Sequence, residues 1–263
     1  QKDNMRDFYD IGTEFNNTVA ISGGNETSTF LLSLGNVTSD GIIPTTADYL
    51  TRNNIGLRAS TKFENFSLSA SLNYIKRSSR YVTDLGDERG ASPFQEIMQI
   101  PRDHVITDSR DYHNKFYDVD SYFTPYAENP YYPLYENGNR YYSDRIFGYF
   151  EMSYKFTSWA NLLWRVGGDI TNARLKDWKA INAPKAGSWN AGGNPSGSIR
   201  QSDIGYVGEI SANTREYNTD LMLLLSPKIN DDLSLDGTVG FNFNERGART
   251  QFSSIEGLTI PGY

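Results

Sequence analysis

The chain has 263 residues, a formal net charge of −7, 38% hydrophobic and 14% aromatic residues, and no cysteine. Its mean hydropathy is −0.57, and no apolar run approaches the ~18 residues of a membrane helix, which excludes a helical membrane protein. Without cysteine, a disulfide framework and a thiolate metal site are excluded as well.

The chain opens on polar residues, Gln1 to Asn4, with no apolar h-region behind them, so the N-terminus is expected to be mature, processed or truncated. Short alternating segments follow at 19–21 and 30–34. Ile55, Leu57, Ala59, Thr61 and Phe63 then alternate with Asn54, Gly56, Arg58, Ser60 and Lys62. The clearest stretch is 66–74, with Phe66, Leu68, Ala70, Leu72 and Tyr74 against Ser67, Ser69, Ser71 and Asn73. Successive strand side chains point to opposite faces, so each segment carries one apolar and one polar face. Phe150, Met152, Tyr154 and Phe156 repeat the pattern, as do Leu162, Trp164, Val166 and Ile170 despite Leu163 opposite. Tyr217, Leu221, Leu223 and Leu225 form an imperfect set, and the last runs from Leu233 through Leu235, Val239 and Phe241 to Phe243. The period-two criterion therefore predicts about eight strands.

The connections alternate in length. Tight polar turns are predicted at 23–26, 63–66, 156–159 and 228–232, and long excursions at 36–52, 77–141, 172–206 and from 246 onward. Long structureless loops are uncommon in compact soluble domains. Short periplasmic turns opposite long extracellular loops are how outer-membrane barrels are built, and such barrels stay hydrophilic on average because half of each strand faces a wet lumen. The predicted fold class is thus all-β, an antiparallel transmembrane β-barrel segment. Phe63, Phe66, Phe156 and Trp159 flank the short turns, where an aromatic girdle belongs. The chain closes on 257–263, where Pro261 and the glycines break a strand; a closed barrel needs its last strand paired to its first, so a partial chain is expected.

An ordered series of motifs carries a family resemblance. It begins with Asn16–Asn17–Thr18–Val19–Ala20–Ile21–Ser22–Gly23–Gly24–Asn25–Glu26 and Asp40–Gly41–Ile42–Ile43–Pro44, and continues with Arg52–Asn53–Asn54 and Ile100–Pro101–Arg102–Asp103. Tyr122–Phe123–Thr124–Pro125–Tyr126, Asn129–Pro130–Tyr131–Tyr132, Arg165–Val166–Gly167–Gly168–Asp169, Asn213–Thr214–Arg215–Glu216, Asp220–Leu221–Met222 and Gly257–Leu258 complete it. In this order the chain resembles SusC/RagA-type TonB-dependent outer-membrane transporters over nearly its whole length. The resemblance implies a large barrel of about 22 strands around a plug, of which residues 1–263 would form an N-terminal part of the barrel, with 77–141 as a long extracellular loop. It also implies energy from a TonB–ExbB–ExbD complex, a SusD-like surface lipoprotein as lid, outer-membrane lipid around the barrel, and an oligosaccharide or peptide as cargo. No nucleic-acid partner is expected.

No GxSxG, Walker A, HExxH or GxGxxG motif is present, so neither catalytic residues nor a cofactor site are expected. His104 and His113 are read as solvated loop residues, too few for a His-based metal site. The acidic sets Asp84–Asp87–Glu88 and Asp118–Asp120 lack EF-hand spacing and are read as solvated charge; the glycine-rich run 192–197 is read as a surface loop. The long loop is dense in aromatics, and Tyr122, Phe123, Tyr126, Tyr131, Tyr132 and Tyr141 are the candidate contacts to substrate or lid. The bland account is that they pack the loop onto itself. Arg58, Lys62, Glu151, Arg165 and Asp169 are the candidate lumen-facing charges, although a wet lumen tolerates charge without using it. The alternatives are a complete small passive pore and a soluble β-rich glycan-binding module.

Overall fold

The computed structural model describes residues 3–82 and 93–260. Its eight strands are β1 (Thr13–Gly24), β2 (Ser28–Asp40), β3 (Tyr49–Phe63), β4 (Phe66–Arg80), β5 (Gly138–Lys155), β6 (Ala160–Asn182), β7 (Asp203–Leu225) and β8 (Gly237–Glu256). They form one antiparallel sheet in sequential order, with β1 and β8 as open edges. Three short helices, α1 (Asn4–Phe8), α2 (Pro93–Gln99) and α3 (Tyr132–Glu136), and a 3-10 turn at Ile106–Arg110 lie outside the sheet. Among the described residues no helix is long and apolar enough to cross a membrane.

Register turns the alternation into a continuous belt. One row of cross-strand neighbours runs Gly23, Phe30, Ala59, Ala70, Phe150, Val166, Thr219 and Phe243. The next row toward the short turns runs Thr61, Leu68, Met152, Trp164, Leu221 and Phe241. A wholly polar row on the same face, Asn53, Lys76, Asp144, Asn172, Asn213 and Arg249, closes the belt on the far side. On β4 the belt therefore spans residues 66–74, which matches the about 9–11 tilted residues that cross a bilayer. Belt side chains such as Leu72 (54% exposed) and Phe241 (63%) touch no second layer of protein. An apolar face of this extent has no stable partner in water and fits hydrocarbon.

The short turns are built locally. Asn25 Oδ1 accepts from the backbone N–H of Thr27 (3.0 Å) and Ser28 (2.8 Å), folding the β1–β2 turn on itself. In the β3–β4 hairpin Phe63 pairs with Phe66, and Glu64 takes a positive φ of 47° to let the chain reverse in two residues. Leu233 and Leu235 are not the strand positions that their alternation predicts. β7 ends before Ser226–Pro227, proline offers no N–H to a ladder, and the continuous β8 ladder begins at Gly237. Both leucines lie in the short connection, which an isolated Lys228–Ser234 bridge and the Leu235 N–H donating to the Pro227 carbonyl hold together.

The long connections are shorter than predicted: 41–48, 81–137, 183–202 and the residues after 256. The strands run on past the belt, β6 and β7 each reaching 23 residues. Beyond the belt neither face needs apolar side chains, so the ladder continues while the alternation that marks it disappears. At Gly148 the backbone of the neighbouring strand comes closest, since a Cβ there would stand 2.1 Å from the Ser71 carbonyl oxygen. Gly148→Ala is expected to push β4 and β5 apart, costing about 1–3 kcal/mol and lowering the heat-resistant folded fraction of the full-length protein on gels, whereas Gly237→Ala, which meets nothing within 4 Å, leaves it unchanged.

The buried core sits in the loops. Phe8, Ala47, Ile97, Ile100, Ile106, Tyr131 and Leu134 pack together, with Met5, Tyr9, Ile43 and Val82 against them. α1 thus joins the long connections on their side of the sheet, and the Ile106 N–H donates to Asn4 Oδ1 at 3.2 Å.

Candidate functional site

Two arrangements concentrate polar chemistry: the polar face of the sheet and the canopy of loops over one end of it. On the polar face, Glu151 Oε2 accepts from Arg165 Nε (2.8 Å) and Nη2 (2.6 Å). Arg145 Nε donates to Asp169 Oδ1 at 2.9 Å. Arg246 pairs with Glu216 at 2.9 Å, Asn244 donates to the same carboxylate, and Asn242 donates to Asp220 at 2.6 Å. Glu151, Arg165 and Asp169 therefore belong to a self-neutralised lattice over β5–β8. Arg58 and Lys62 share the parity of that face but stand apart on β3, opposite Ser71 and Ser67. Arg145, Glu216, Asp220 and Arg246 were missed by sequence reasoning; counting in twos from Glu151 would have found Arg145, and taking the parity opposite to Leu221 and Phe243 would have found the other three.

The canopy is a second network. Arg200, on the 183–202 connection, donates through Nη1 to the Ala127 carbonyl (2.6 Å) and through Nη2 to Glu128 (2.7 Å). Both side chains of this ion pair are almost fully buried, 6% and 5% exposed. Asn182 also donates to Glu128, and the Glu128 N–H donates to Glu96 Oε2 at 2.7 Å. Asn190 Nδ2 donates to the carbonyls of Val119 (3.1 Å) and Tyr122 (3.2 Å). These bonds fasten 93–137 to 183–202. Sequence carried little signal for them, because isolated Glu, Asn and Arg in loops look solvated.

Burial pushes the Glu96 carboxyl up to about 6, against the N–H of Glu128 and the charge of Arg200, which pull it down. Burial likewise raises Glu128, opposed by Arg200 and reinforced by Asp203 and Glu96. A carboxyl whose folded pKa is raised stabilises most below its unfolded value and loses that contribution as pH rises through the folded one. From a reference of 4.5 to about 6, Glu96 makes the canopy weaker by about 2 kcal/mol at neutral pH than at pH 4. Limited proteolysis of 93–137 should therefore quicken between pH 4.5 and 6.5, and Glu96→Gln should flatten that dependence.

The six candidate aromatics do not converge. Tyr131 is fully buried, 5.0 Å from the Phe8 ring. Tyr122 is buried, its hydroxyl has no partner among the described residues, and burial raises its pKa. Tyr132 is half-buried and donates to the Ile181 carbonyl at 3.3 Å. Phe123 and Tyr126 are exposed, the latter bonded to Ser198 at 2.8 Å across the two loops. Tyr141 lies on the polar face of β5 with the Arg77 guanidinium 5.3 Å over its ring. Trp189 and Ile199, also exposed, lie on the same connection as Ser198 and were not singled out from sequence.

His104 is half-buried rather than solvated, its Nε2 at 2.7 Å from Ser109 Oγ, while His113 is exposed. Asp118 caps the N–H groups of Asp120 and Ser121, and Asp120 accepts from the Lys185 N–H at 2.6 Å, so both serve loop structure. Asn194 organises the 192–197 run through bonds to Trp189 and Ser198. Asp84, Asp87 and Glu88 lie outside the described residues. Among those described, no three His, Cys, Asp or Glu side chains converge as metal ligands. A cavity of about 600 Å³ lies at the base of the canopy, between Leu134, Arg80 and Trp178 on one side and Asp203, Ile204 and Tyr206 on the other. Arg80 donates to the Leu134 and Asn137 carbonyls in its wall.

No family model matches the chain, and no curated protein matches it in sequence. Solved structures do. The RagAB peptide importer in its open-open state matches with a TM-score of 0.72 and 16% identity over 96% of this chain, and in its closed-closed state with 0.73 and 15% over 98%. The chain folds as part of the RagAB importer does. A further structure of the RagAB peptide transporter matches at a TM-score of 0.70. This chain spans only 26% and 27% of the length of the first two RagAB chains. The likeness agrees with the SusC/RagA-type resemblance carried by the motif series, and at 15–16% identity it rests on fold.

Proposed function

We propose that this chain is part of an active outer-membrane importer, its apolar belt in lipid and its polar face lining the solute path. The continuous belt of the right height, on a sheet built like part of the RagAB importer, carries this reading. Import of a peptide or an oligosaccharide would be energised through TonB–ExbB–ExbD acting on a plug elsewhere in the protein. No bond chemistry is assigned to this chain. The test is the mass of the native polypeptide in purified outer membranes. A mass several-fold above 29.7 kDa is expected, and a band near that value would make the chain a small passive pore.

The SusD-like lid is proposed to sit on the canopy, where Phe123, Tyr126, Trp189 and Ile199 present exposed apolar surface from both loops. Phe123→Ala with Ile199→Ala in the full-length protein, two exposed side chains that make no polar bond, should lower co-purification of the lipoprotein without loosening the canopy. Tyr122 and Tyr131 are unsuitable for this test because they are buried, and truncating them hollows the loop core.

A further inference from the structure

The polar face is electrostatically divided. On β5–β8 Arg145, Arg165 and Arg246 each have a carboxylate partner. On β1–β4 the same face carries Arg52, Arg58, Lys62 and Arg77, and none of them makes an ion pair with any described residue. Glu14 is the single acidic side chain on that side of β1–β4, two strands from Arg52 and on a different row. Within this cationic half, Arg52 and Arg77 are direct cross-strand partners, both exposed. Like charges placed directly opposite each other in a sheet repel and destabilise it. Their row neighbours, Val37 and Ser143, supply no countercharge. A local conflict of this kind, without compensation nearby, is the mark of a site that awaits a ligand.

We propose that Arg52 and Arg77 form a carboxylate-binding site on the polar face. The Cα atoms of a directly opposed pair are about 4.5–5.5 Å apart, close enough for both side chains to reach one anion. Tyr141 steadies the Arg77 guanidinium from the adjacent strand. The same face already holds Asp169 on Arg145 through two N–H groups and both carboxylate oxygens, the bidentate geometry that suits carboxylates, and Glu151 Oε2 on two N–H groups of Arg165. Two sources carry the required chemistry: the free C-terminus of a passing peptide, and an acidic side chain from another part of the full-length protein. The first source rests on the import reading. The test does not, because it needs no transport.

Full-length protein in native outer-membrane vesicles is treated with phenylglyoxal, and modification at Arg52, Arg77 and the exposed, unpaired Arg249 is followed by mass spectrometry. Hexa-alanine with a free C-terminus and its C-terminal amide are the probes. Slowing of at least three-fold at Arg52 and Arg77 by the acid, with none from the amide and none at Arg249, is the expected result and assigns the site to solute. Slow modification without any probe, released by 1 M NaCl, assigns the carboxylate to the protein itself. Reaction at the rate of Arg249 under every condition overturns the proposal, as does slow reaction that salt does not release. In Arg77→Gln the acid should lose its effect on Arg52, and Arg77→Lys should retain part of it.

Discussion

Replacing Arg200 with Met is expected to release the two long loops from each other and leave the sheet folded. Arg200 holds Glu128 and the Ala127 carbonyl from a position with almost no access to water. Removing one partner of a buried ion pair typically costs about 3–5 kcal/mol, because the partner left behind must remain a desolvated charge or be neutralised at a cost. Glu128 would keep only Asn182, with Glu96 beside it as a second buried carboxyl, and would take up a proton rather than stay charged. The double change Arg200→Met with Glu128→Leu should recover part of the loss, since well-packed apolar replacements of a buried pair are often neutral or better. Hydrogen exchange on the full-length protein reads this directly. Protection should fall at 93–137 and 183–202 in Arg200→Met and persist in β5 to β8. Uniform loss across the strands would instead make the canopy and the sheet one cooperative unit.

That division also explains what the sequence could announce. Where the sheet carries its apolar belt, each strand must alternate, and Leu68, Ala70 and Leu72 make the pattern visible without any structure. The same rule places Glu151, Arg165 and Asp169 on the opposite face by counting alone. Above the belt the rule lapses. Lys176 and Arg174 are strand residues inside a span that reads as loop, because water on the outer face imposes no apolar period. The canopy was illegible for a different reason: its fastening is carried by single polar residues, Asn182, Asn190 and Arg200, whose partners are 54 to 73 positions away and follow no local spacing. Tyr131 shows the limit of composition. An aromatic-rich loop announces burial or binding equally, and only packing against Phe8 decides between them.

The face assignment makes the second large prediction. Ala70 stands at the middle of residues 66–74, flanked on its row by Ala59 and Phe150, with room for a longer side chain. If that face meets hydrocarbon, Ala70→Arg should cost about 2–4 kcal/mol, the depth-dependent penalty for a cation near the bilayer midplane. Leu72→Arg, two residues nearer the polar row of Lys76 and Asp144, should cost less, since its guanidinium can snorkel toward water. Asn73→Arg, at nearly the same height on the polar face, should cost little. Heat-modifiability of the folded full-length protein, followed against urea in lipid vesicles, ranks the three. The expected order is Ala70→Arg worst, Leu72→Arg intermediate and Asn73→Arg close to wild type. A severe Asn73→Arg beside a tolerated Ala70→Arg would reverse the faces, and the charged lattice of Glu151, Arg165 and Asp169 would then have to sit against lipid without water. Such a lattice has no physical support in hydrocarbon, which is why the gradient along β4 discriminates so sharply between the two orientations.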